Sequence, residues 1–379
     1  MTFRRAEVIV DLGAIASNVR ALKEKAGVPI LAVVKADAYG HGLVPVARVA
    51  IDAGAQWLGV ALLEEALALR ESGVRAPVIA WLVPPGSDFA TAIASDIDLG
   101  VASLEIFYEI CNAAQHMNKR ARIHVEVDTG MTRGGFLSEW ETFLDLLGNE
   151  SERVEVVGLF SHFARADEPG QPQNAIQLKR FTEMSDDLNR IGIEPEIHHL
   201  SNSAATLIDA SAHFDLVRTG IAMYGLSPDR ENLGSSDSLG IMPAMTLRAR
   251  LHLVKEVLSD TPVGYGALTS TSSDTKLGVV AMGYADGIPR IAQGAGIFYN
   301  GKRAPIIGRV SMDQFVVDLG AHSTAQGGDW VTVFGPGYEG EYTADDWGTA
   351  SSSINYEIVT RIASRVPRIY KPATTIGAL

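Results

Sequence analysis

Short apolar runs alternate with segments of helical periodicity from about residue 30 to residue 226 of this chain. Apolar runs of about four to eight residues between turn formers are typical of buried strands, and apolar residues three and four apart indicate helices. The strand-like runs begin at Ile30, Trp57, Val78, Ile97, Arg122, Val156, Glu196 and Asp215. The helix-like stretches lie around residues 42–54, 62–72, 87–95, 103–118, 138–149, 173–191 and 202–211. This alternation predicts an α/β fold, a (β/α)8 TIM barrel rather than a doubly wound sheet. The doubly wound dinucleotide-binding fold is further disfavoured because no G-x-G-x-x-G follows a strand.

Beyond about Leu226 the pattern changes to strand-like runs without regular helices between them. The segment Asp229–Leu239 is polar and rich in glycine and serine, which is typical of a linker. The strand-like runs beyond it cover residues 246–257, 263–267, 276–284, 296–300, 303–317 and 329–334. Asn300 and Gly301, between two of these runs, form the signature of a type I′ hairpin turn. The sequence therefore predicts a second, mostly antiparallel β domain.

Composition and charge exclude several classes of partner. A net charge of −13 argues against nucleic acid or an anionic membrane as a partner. The single cysteine, Cys111, rules out a disulfide framework and favours a reducing compartment. The first residues lack the apolar core of a signal peptide, and no apolar stretch approaches the roughly 20 residues of a membrane helix. We therefore expect a cytoplasmic protein that binds neither nucleic acid nor membrane, and we predict no metal site.

The stretch Leu31–Gly42, LAVVKADAYGHG, places a lysine at the end of an apolar run. Leu31–Val34 is too short for a helix and is bounded by turn formers, so it predicts a buried strand that ends at Lys35. Because burial of an unpartnered ammonium group is costly, the pKa of Lys35 should fall, and its amine could then attack a carbonyl group. A lysine whose stem lies along the strand while its head reaches solvent would give the same pattern.

Polar residues follow several of the other predicted strands. In a barrel of this kind the active site lies at the C-terminal ends of the strands, and phosphate is often held after the last two. The residues at these ends are Arg133 after strand five, Ser161 and His162 after strand six, Ser201–Ser203 after strand seven, and Arg218–Ile221 in strand eight. Ser203 begins a predicted helix, and Gly220 permits close approach of the backbone, so the pair suits a phosphate. A simple helix cap at Ser203 and a simple turn at Gly220 would give the same sequence pattern without a phosphate site.

The fifth predicted strand carries acidic residues on one face. Val125 and Val127 alternate with His124, Glu126 and Asp128. In a barrel strand one face packs on the helices and the other points into the barrel. We therefore expect Glu126 and Asp128 to point inward, toward the barrel interior or its mouth.

The lysine stretch V-K-A-D-A-Y-G-H-G resembles the lysine motif of bacterial alanine racemases, and further motifs of that family follow in the same order along nearly the whole chain. The resemblance implies an isomerase that interconverts L-alanine and D-alanine by two-base proton transfer at Cα of a pyridoxal 5′-phosphate aldimine, and that supplies D-alanine for peptidoglycan. It implies a cofactor-binding barrel over residues 11–240. Residues 1–10 and 241–379 would form a β-rich domain that completes the partner subunit's active site in a homodimer.

The resemblance assigns the two bases. Lys35 would hold the cofactor as a Schiff base and act as one base once the substrate amine has displaced it. Tyr265, in V-G-Y-G-A, would be the other base and would reach the partner subunit's site. A phenol normally titrates near 10, so a base role requires nearby positive charge or hydrogen bonds, for which His162 and Arg218 are the candidates. Without the resemblance, Tyr265 would be an aromatic residue in a turn.

Arg218 distinguishes between the reactions that this cofactor supports. The matching arginine of alanine racemases faces the pyridine nitrogen, and because an arginine stays protonated, that nitrogen must accept a hydrogen bond. The ring is then a weaker electron sink. Decarboxylases that share this barrel and cofactor place a carboxylate there, so Arg218 favours proton transfer at Cα. The family usually has proline where this chain has Thr219, which removes some rigidity.

The resemblance also predicts roles for the remaining candidates. Arg133 would orient the substrate carboxylate and the ring hydroxyl of the cofactor. Many family members hold this arginine with a carbamylated lysine at the position of Glu126, whose own charge should replace the carbamate. Met312 and Tyr284 would line the substrate pocket and its entrance. The predicted cofactor-binding residues are Lys35, Tyr39, His162, Asn202, Ser203, Arg218, Gly220, Ile221 and Tyr356. Outside the family context, Met312 would be core filler and the tyrosines half-buried aromatics.

Three alternatives remain open at this stage. A racemase of the same family could act on serine, on lysine or on a broader set of amino acids, and pocket shape would separate these substrates. A non-catalytic barrel that carries pyridoxal phosphate would resemble the barrel alone, whereas this chain has a long β domain containing Tyr265. A decarboxylase is disfavoured by Arg218.

Overall fold

The structure is a computed structural model that describes residues 4–150 and 152–373. The chain divides into two compact units. The first, which we call the barrel unit, consists of Ile15–Ala38 and Leu43–Ile241. The second, which we call the β unit, consists of the described residues up to Ala14, of Tyr39–Gly42, and of those from Met242 onward.

A sheet of eight parallel strands forms the barrel unit. The strands are Ile30–Val33, Trp57–Val60, Val78–Ala80, Asp98–Val101, Ala121–Glu126, Val154–Phe160, Ile197–His199 and Val217–Thr219. Each of the first six strands pairs with the next one along the chain, and Val217–Thr219 pairs with the first strand, Ile30–Val33. Backbone hydrogen bonds from Asp215 N to His198 O (3.1 Å) and from Arg218 N to Ser201 O (3.0 Å) bring the last strand beside the seventh. The barrel is thus nearly closed, and the predicted fold class is confirmed.

Helices connect the barrel strands, as parallel pairing requires. The connecting helices are Leu43–Asp52, Leu63–Glu71, Phe89–Ala94, Leu104–Met117, Trp140–Asn149, Pro172–Arg190 and Ser203–Ile208, while Leu12–Ala26 precedes the first barrel strand and Arg230–Leu233 follows the last. Leu104–Met117 shows why they form: its buried residues Phe107, Ile110, Cys111 and Ala114 recur at helical spacing, and Ser103 Oγ accepts the Ile106 N–H. Within the described ranges, no helix is long and apolar enough to cross a membrane.

Glycines on the barrel strands make room for two large side chains in the interior. A Cβ atom at Gly59 would lie 2.5 Å from the Trp81 ring, and one at Gly100 would lie 2.7 Å from Trp81 Cα. A Cβ atom at Gly158 would lie 2.2 Å from His124 Nδ1. Glycine inside a strand often marks such a close approach. These three positions therefore allow Trp81 and His124 to fill the barrel.

An eight-stranded, mostly antiparallel sheet forms the core of the β unit. Its strands are Ala6–Asp11, Met245–Val257, Thr275–Val280, Gly296–Tyr299, Lys302–Pro305, Phe315–Asp318, Trp330–Phe334 and Arg368–Lys371. Ala6–Asp11 pairs with Met245–Val257 in antiparallel orientation and with Arg368–Lys371 in parallel orientation. The predicted hairpin is confirmed, because Tyr299 pairs with Lys302 across Asn300 and Gly301, which have φ values of 46° and 78°.

Three predicted strands of this unit were too long. The run 263–267 ends as a strand at Val263, because Gly264 has φ +74° and Tyr265–Ala267 forms a 3₁₀ turn. The run 303–317 comprises two strands separated by a loop in which Gly308 has φ +78°. The run 276–284 ends at Val280, before a second 3₁₀ turn. In the first two runs, glycine at positive φ interrupts extended structure that the apolar pattern alone would continue.

The pattern also missed two helices in the β unit, Ala344–Ala350 and Asn355–Thr360. The first begins with a capping box, in which Thr343 Oγ1 accepts the Asp346 N–H at 3.1 Å and Asp346 Oδ2 accepts the Thr343 N–H at 3.0 Å. Both helices are short, so their apolar residues show little periodicity, and the local capping signal was the better indicator.

Asp286 anchors the β unit through two arginines. Its carboxylate is fully buried and accepts hydrogen bonds from Arg5 (2.5 and 3.1 Å), from Arg365 Nε (2.6 Å) and from the Gly283 N–H (2.9 Å). Burial by itself raises the pKa of Asp286, but these hydrogen bonds lower it by more, so the net pKa lies below its ordinary value. The carboxylate is therefore charged in the folded protein at neutral pH.

We expect Asp286→Asn to lower the free energy of unfolding by about 3 kcal/mol at pH 7, because it removes a buried charge that both arginines contact. Since the pKa is depressed in the folded state, the difference is fully present above the unfolded value of roughly 3.9 and disappears as the pH falls through the lower folded pKa. Urea unfolding at several pH values measures it. Asp313→Asn, which removes an exposed partner of Arg365, should cost less than about 1 kcal/mol. Equal losses for the two variants would contradict this interpretation.

Candidate active site

A left-handed turn follows the first barrel strand and carries Lys35. Ala36–Tyr39 all have φ between 53° and 54°, a region that costs ordinary residues about 1–2 kcal/mol each. Side chains hold the turn in this conformation. Glu65 Oε1 accepts the Ala36 N–H at 2.5 Å, and Asp37 Oδ1 accepts the Leu43 N–H at 2.8 Å. Such strain is maintained only where the surroundings fix it, and it is common at functional sites.

The Lys35 amine is half-buried and makes no hydrogen bond or ion pair with the residues that the structure describes. Its Nζ lies 5.9 Å from the centre of the Trp81 ring. Burial lowers the pKa of Lys35, and the positive charges of Arg133 and Arg218 lower it further, while Glu65 partly opposes them. The direction agrees with the expectation from the sequence. An amine of this kind is a candidate nucleophile and base.

Arg218 is buried at the end of the last barrel strand and is almost fully hydrogen-bonded. Its Nη1 donates to His199 O (2.5 Å) and to His199 Nδ1 (3.2 Å). Its Nη2 donates to Ser161 O (2.7 Å), to Leu200 O (3.1 Å) and to His162 Nδ1 (3.2 Å). Burial lowers the pKa of Arg218 to about 10, so the group stays charged at neutral pH. Within the described chain only its Nε–H has no hydrogen-bond acceptor.

His162 and His199 both accept from this guanidinium group. Because arginine has no acceptor, Nδ1 of each ring must be unprotonated. Burial together with nearby positive charge, above all that of Arg218, holds the pKa of both histidines well below the ordinary value. Each ring is therefore a neutral imidazole whose proton lies on Nε2.

The ends of strands seven and eight form a candidate anion site. Ser203 Oγ accepts the N–H groups of Gly220 (2.9 Å) and Ala222 (3.3 Å), so its own hydroxyl proton remains to donate. The helix begins at Ser203 as predicted, but its cap is Asn202, whose Oδ1 accepts the Ala205 N–H. Ser203 therefore has a role other than capping the helix, since its hydroxyl joins two loops at the position where barrels of this kind often hold phosphate.

Glu126 and Arg133 lie at the two ends of a loop that Asp128 organises. Asp128 is buried, and its Oδ1 accepts the N–H groups of residues 130–132 at 2.9–3.1 Å. Glu126 is half-buried beside Gly134, where a Cβ atom would lie 3.2 Å from its Oε2. No hydrogen bond or ion pair between described residues joins Glu126 to Arg133, whose side chain is exposed. Burial raises the pKa of Glu126, which Arg133 and Arg218 partly counteract.

Three predicted residues of the β unit lie on adjacent segments. The Tyr284 N–H donates to Ser311 O, and the Ala285 N–H donates to Met312 O. The turn that carries Tyr265 approaches Arg309, since a Cβ atom at Gly264 would lie 3.3 Å from Arg309 N. Tyr265, Met312 and Tyr284 have 69%, 54% and 40% of their surface exposed. Large side chains exposed together are typical of a surface that contacts another molecule.

Tyr39 and Tyr356, both predicted near phosphate, also lie close together in the β unit. Their ring centres are 6.3 Å apart, with the planes inclined by 48°. Burial raises the pKa of Tyr39, so its hydroxyl remains protonated at neutral pH and can donate a hydrogen bond. The structure thus brings this predicted pair into one cluster.

Comparison with known proteins agrees with this geometry. A family model described as the N-terminal domain of alanine racemase matches residues 10–228, and one described as its C-terminal domain matches residues 244–370. The chain belongs to the alanine racemase family. The alanine racemase of Beutenbergia cavernae is 50% identical over 370 residues, covering 96% of this chain and 97% of that protein. The alanine racemase of Frankia casuarinae is 47% identical over 371 residues, covering 97% and 96%.

Solved alanine racemase structures share the whole fold. The enzyme from the D-cycloserine producer Streptomyces lavendulae superimposes with a TM-score of 0.96 at 46% identity, covering 98% of both chains. The Bacillus anthracis enzyme, solved with bound L-Ala-P, superimposes with a TM-score of 0.90 at 37% identity, covering 99% of this chain and 97% of that one. The predicted family assignment is confirmed.

Thr219, at the position where the resemblance implies proline, places a buried hydroxyl in the barrel wall. The residue is fully buried, and its Oγ1 has no hydrogen-bond partner among the described residues. An unsatisfied buried hydroxyl costs about 1–3 kcal/mol relative to an apolar group of the same shape.

We therefore expect Thr219→Val to raise the free energy of unfolding by about 1 kcal/mol, measured from the urea unfolding midpoint. Thr206→Val is the matched control, because the buried Thr206 hydroxyl donates to Asn202 O at 2.7 Å. That substitution should instead destabilise the protein by about 1 kcal/mol. Similar losses in both variants would show that the Thr219 hydroxyl is satisfied.

Sequence reasoning missed Glu65, Trp81 and His199 as parts of the site. Trp81 directly follows the third barrel strand, so the rule of strand ends could have identified it. Glu65 lies in the first turn of Leu63–Glu71, where it accepts the Leu62 N–H and resembles an ordinary helix cap. His199 ends a strand but faces Arg218, and no local pattern indicates that contact.

Proposed function

We propose that this protein interconverts L-alanine and D-alanine by moving a proton at the substrate Cα. The observation that carries the proposal is one barrel that holds the half-buried amine of Lys35, whose pKa is lowered, together with the charged guanidinium group of Arg218. An arginine opposite the cofactor ring limits electron withdrawal, which favours proton transfer over decarboxylation. The product, D-alanine, would supply peptidoglycan.

We infer that pyridoxal 5′-phosphate is the cofactor, because the barrel unit offers a matching group for each of its functional parts. Lys35 offers the amine for the aldehyde, and Arg218 offers, for the ring nitrogen, an Nε–H that no described residue accepts. The phosphate would be held by Asn202, Ser203, Gly220 and Ile221, and Tyr39 and Tyr356 are predicted to assist. When bound, the cofactor supplies a conjugated ring that withdraws electrons and makes the Cα–H bond more acidic.

The side chains of the barrel then have separate tasks. The lowered pKa of Lys35 leaves more of its amine neutral near pH 7, so it can take a proton from Cα and return it as an acid. Arg133 is proposed to hold the substrate carboxylate, which its exposed guanidinium group can do bidentately. His162 is a neutral imidazole that presents an Nε2–H, a donor suited to a phenolate oxygen.

Racemisation requires a second base on the opposite face of Cα, and we propose Tyr265 of the partner subunit. Its exposure, together with that of Met312 and Tyr284, leaves the side chain available to another molecule. A homodimer with composite sites follows, in which Met312 and Tyr284 line the partner's pocket. An apolar, crowded pocket of this kind would favour a small substrate side chain.

We also propose that Glu126 replaces a carbamylated lysine as the negative charge near Arg133. The charges of Arg133 and Arg218 lower the pKa of Glu126 against the effect of burial, which supports an electrostatic interaction between Glu126 and Arg133. A carboxylate at this place needs no carbon dioxide adduct.

The intact mass of the purified protein should therefore equal that of the bare polypeptide plus the cofactor. Native and denaturing mass spectrometry would measure it. As a positive control, Glu126→Lys should gain an adduct the size of carbon dioxide in bicarbonate buffer. An adduct on the wild-type strand Ala121–Glu126 would rule out the replacement.

The function is tested by proton exchange at Cα. Purified protein loaded with the cofactor is incubated with L-alanine, L-serine or L-lysine in deuterated water, and deuterium uptake is followed by NMR and chirality by chromatography. Fast uptake with racemisation of alanine alone supports the proposal. Comparable turnover of the larger substrates would indicate a racemase of broad specificity, and no exchange despite bound cofactor would indicate a carrier protein.

A further inference from the structure

A file of buried polar side chains runs along the inside of the barrel and ends at Arg218. Asp98 Oδ2 lies 3.3 Å from His124 Nε2, His124 Nδ1 lies 2.9 Å from His199 Nε2, and His199 Nδ1 lies 3.2 Å from Arg218 Nη1. All four residues are at most 6% exposed. Asp98 begins the fourth barrel strand, His124 and His199 lie in the fifth and seventh, and Arg218 lies in the eighth, so the file links four strands across the barrel interior.

Arginine chemistry fixes the direction of every hydrogen bond in this file. Arg218 can only donate, so His199 Nδ1 accepts and its proton lies on Nε2. His199 Nε2–H then donates to His124 Nδ1, which places the His124 proton on Nε2. His124 Nε2–H finally donates to the Asp98 carboxylate. An imidazolium at His124 is incompatible with this order. Its Nδ1–H would require His199 Nε2 to accept, and the proton of His199 would then lie on Nδ1, facing the Arg218 donor.

The surrounding packing holds both imidazole rings in place. The His199 ring is stacked on Phe160 at 5.1 Å between centres, and the His124 ring meets the edge of Trp57 at 5.4 Å. Gly158 leaves the space that His124 occupies, since a Cβ atom there would lie 2.2 Å from His124 Nδ1. Any larger residue at position 158 would displace the central ring of the file.

Asp98 is a charged terminus rather than a neutral acceptor. Its Oδ1 accepts the Arg122 Nε–H at 2.8 Å, and Arg122 also pairs with Glu155 at 3.6 Å. Burial raises the pKa of Asp98, but hydrogen bonds from His124 and Arg122 lower it by more, so the carboxylate stays ionised. A hydrogen bond to a carboxylate is roughly twice as strong as one between neutral groups, and successive bonds polarise one another.

We propose that Asp98, His124 and His199 form a one-directional hydrogen-bond relay that positions Arg218 in the active site. The relay keeps His199 Nδ1 as an acceptor for Arg218. Together with the backbone carbonyls, this acceptor occupies Nη1 and Nη2 of Arg218, so that among the contacts of the described residues only its Nε–H remains for a ligand. Asp98 and His124 are thus positioning residues that act through His199. Only this last step, the presentation of Arg218 to the cofactor, rests on the proposed function.

The relay itself is tested in wild-type holoenzyme labelled with ¹⁵N in the histidine rings. Long-range ¹H–¹⁵N NMR should show both His124 and His199 as neutral Nε2–H tautomers, with the exposed His116 as an internal reference. An Nδ1–H tautomer or an imidazolium at either ring would overturn the proposal. This measurement does not depend on racemase activity, so it separates failure of the relay from failure of the proposed function.

The positioning role is tested by two substitutions at His124. His124→Phe removes the acceptor of His199 Nε2–H, and we expect kcat/KM for alanine to fall roughly tenfold with altered His199 ring signals, since small displacements in an active site are costly. His124→Gln retains one acceptor and one donor and should restore both. Unchanged activity in the phenylalanine variant, or equal losses in the two folded variants, would show that the file has only a structural role.

Discussion

Replacement of Lys35 by alanine is expected to abolish the racemisation of alanine. The amine is both the only proposed base of the barrel unit and the proposed attachment point of the cofactor, so the loss should be on the order of 10⁴-fold. Deuterium uptake at Cα should disappear for both enantiomers, because substrate activation and one proton transfer fail together. Exchange measured by NMR and chirality measured by chromatography give the two readouts.

Two further variants control for charge and for the loss of a lysine. Lys35→Arg keeps the positive charge but cannot release a proton at neutral pH, and this variant should be as inactive as Lys35→Ala. Lys119→Ala removes an exposed lysine that pairs with Asp96 and should leave activity unchanged. Turnover by the Lys35→Arg variant within about tenfold of wild type would refute the role of the Lys35 amine as a base.

Tyr265→Phe is expected to separate exchange from inversion. Removal of the phenol deletes one of the two proposed bases, so racemisation should fall by about 10²- to 10⁴-fold. Lys35 remains and can still take and return the Cα proton on its own face. One enantiomer should therefore take up deuterium without inversion, whereas the other should not exchange. Tyr338→Phe, at a tyrosine 68% exposed in the same unit, should behave as wild type.

A mixture of the two inactive variants tests whether Tyr265 acts in the partner subunit. If Lys35→Ala and Tyr265→Phe subunits exchange freely, half the dimers are mixed and each contains one intact composite site, which restores about a quarter of the wild-type activity. If both bases come from one chain, every site in the mixture lacks a base. No recovery after confirmed subunit exchange would then disprove the composite site.

The local patterns of the sequence were sufficient for the architecture. Short apolar runs alternating with helical stretches predicted the barrel, and Asn300 with Gly301 predicted a hairpin that the structure contains. These features depend on residues near each other in the chain, where periodicity and turn geometry apply directly. The same reasoning failed at Val263, where two glycines at positive φ end a strand that the apolar pattern would continue.

The motifs also determined the family and the principal candidates, including Lys35, Arg218 and Ser203. What they could not give is the set of partners that each side chain meets. Glu65 holds the turn after Lys35, and Ser203 joins Gly220, through contacts between residues distant in sequence. Such contacts exist only once the strands have closed into a barrel.

Sequence alone therefore determined the fold class, the family and the residue types at the strand ends, because strand position and motif order are properties of the chain. Tertiary structure decided the protonation and direction of the groups that act. The pKa of Lys35 falls through burial, and the tautomers of His162 and His199 follow from their contact with Arg218. Both depend on which groups are packed together and excluded from water, and that is set by folding rather than by local pattern.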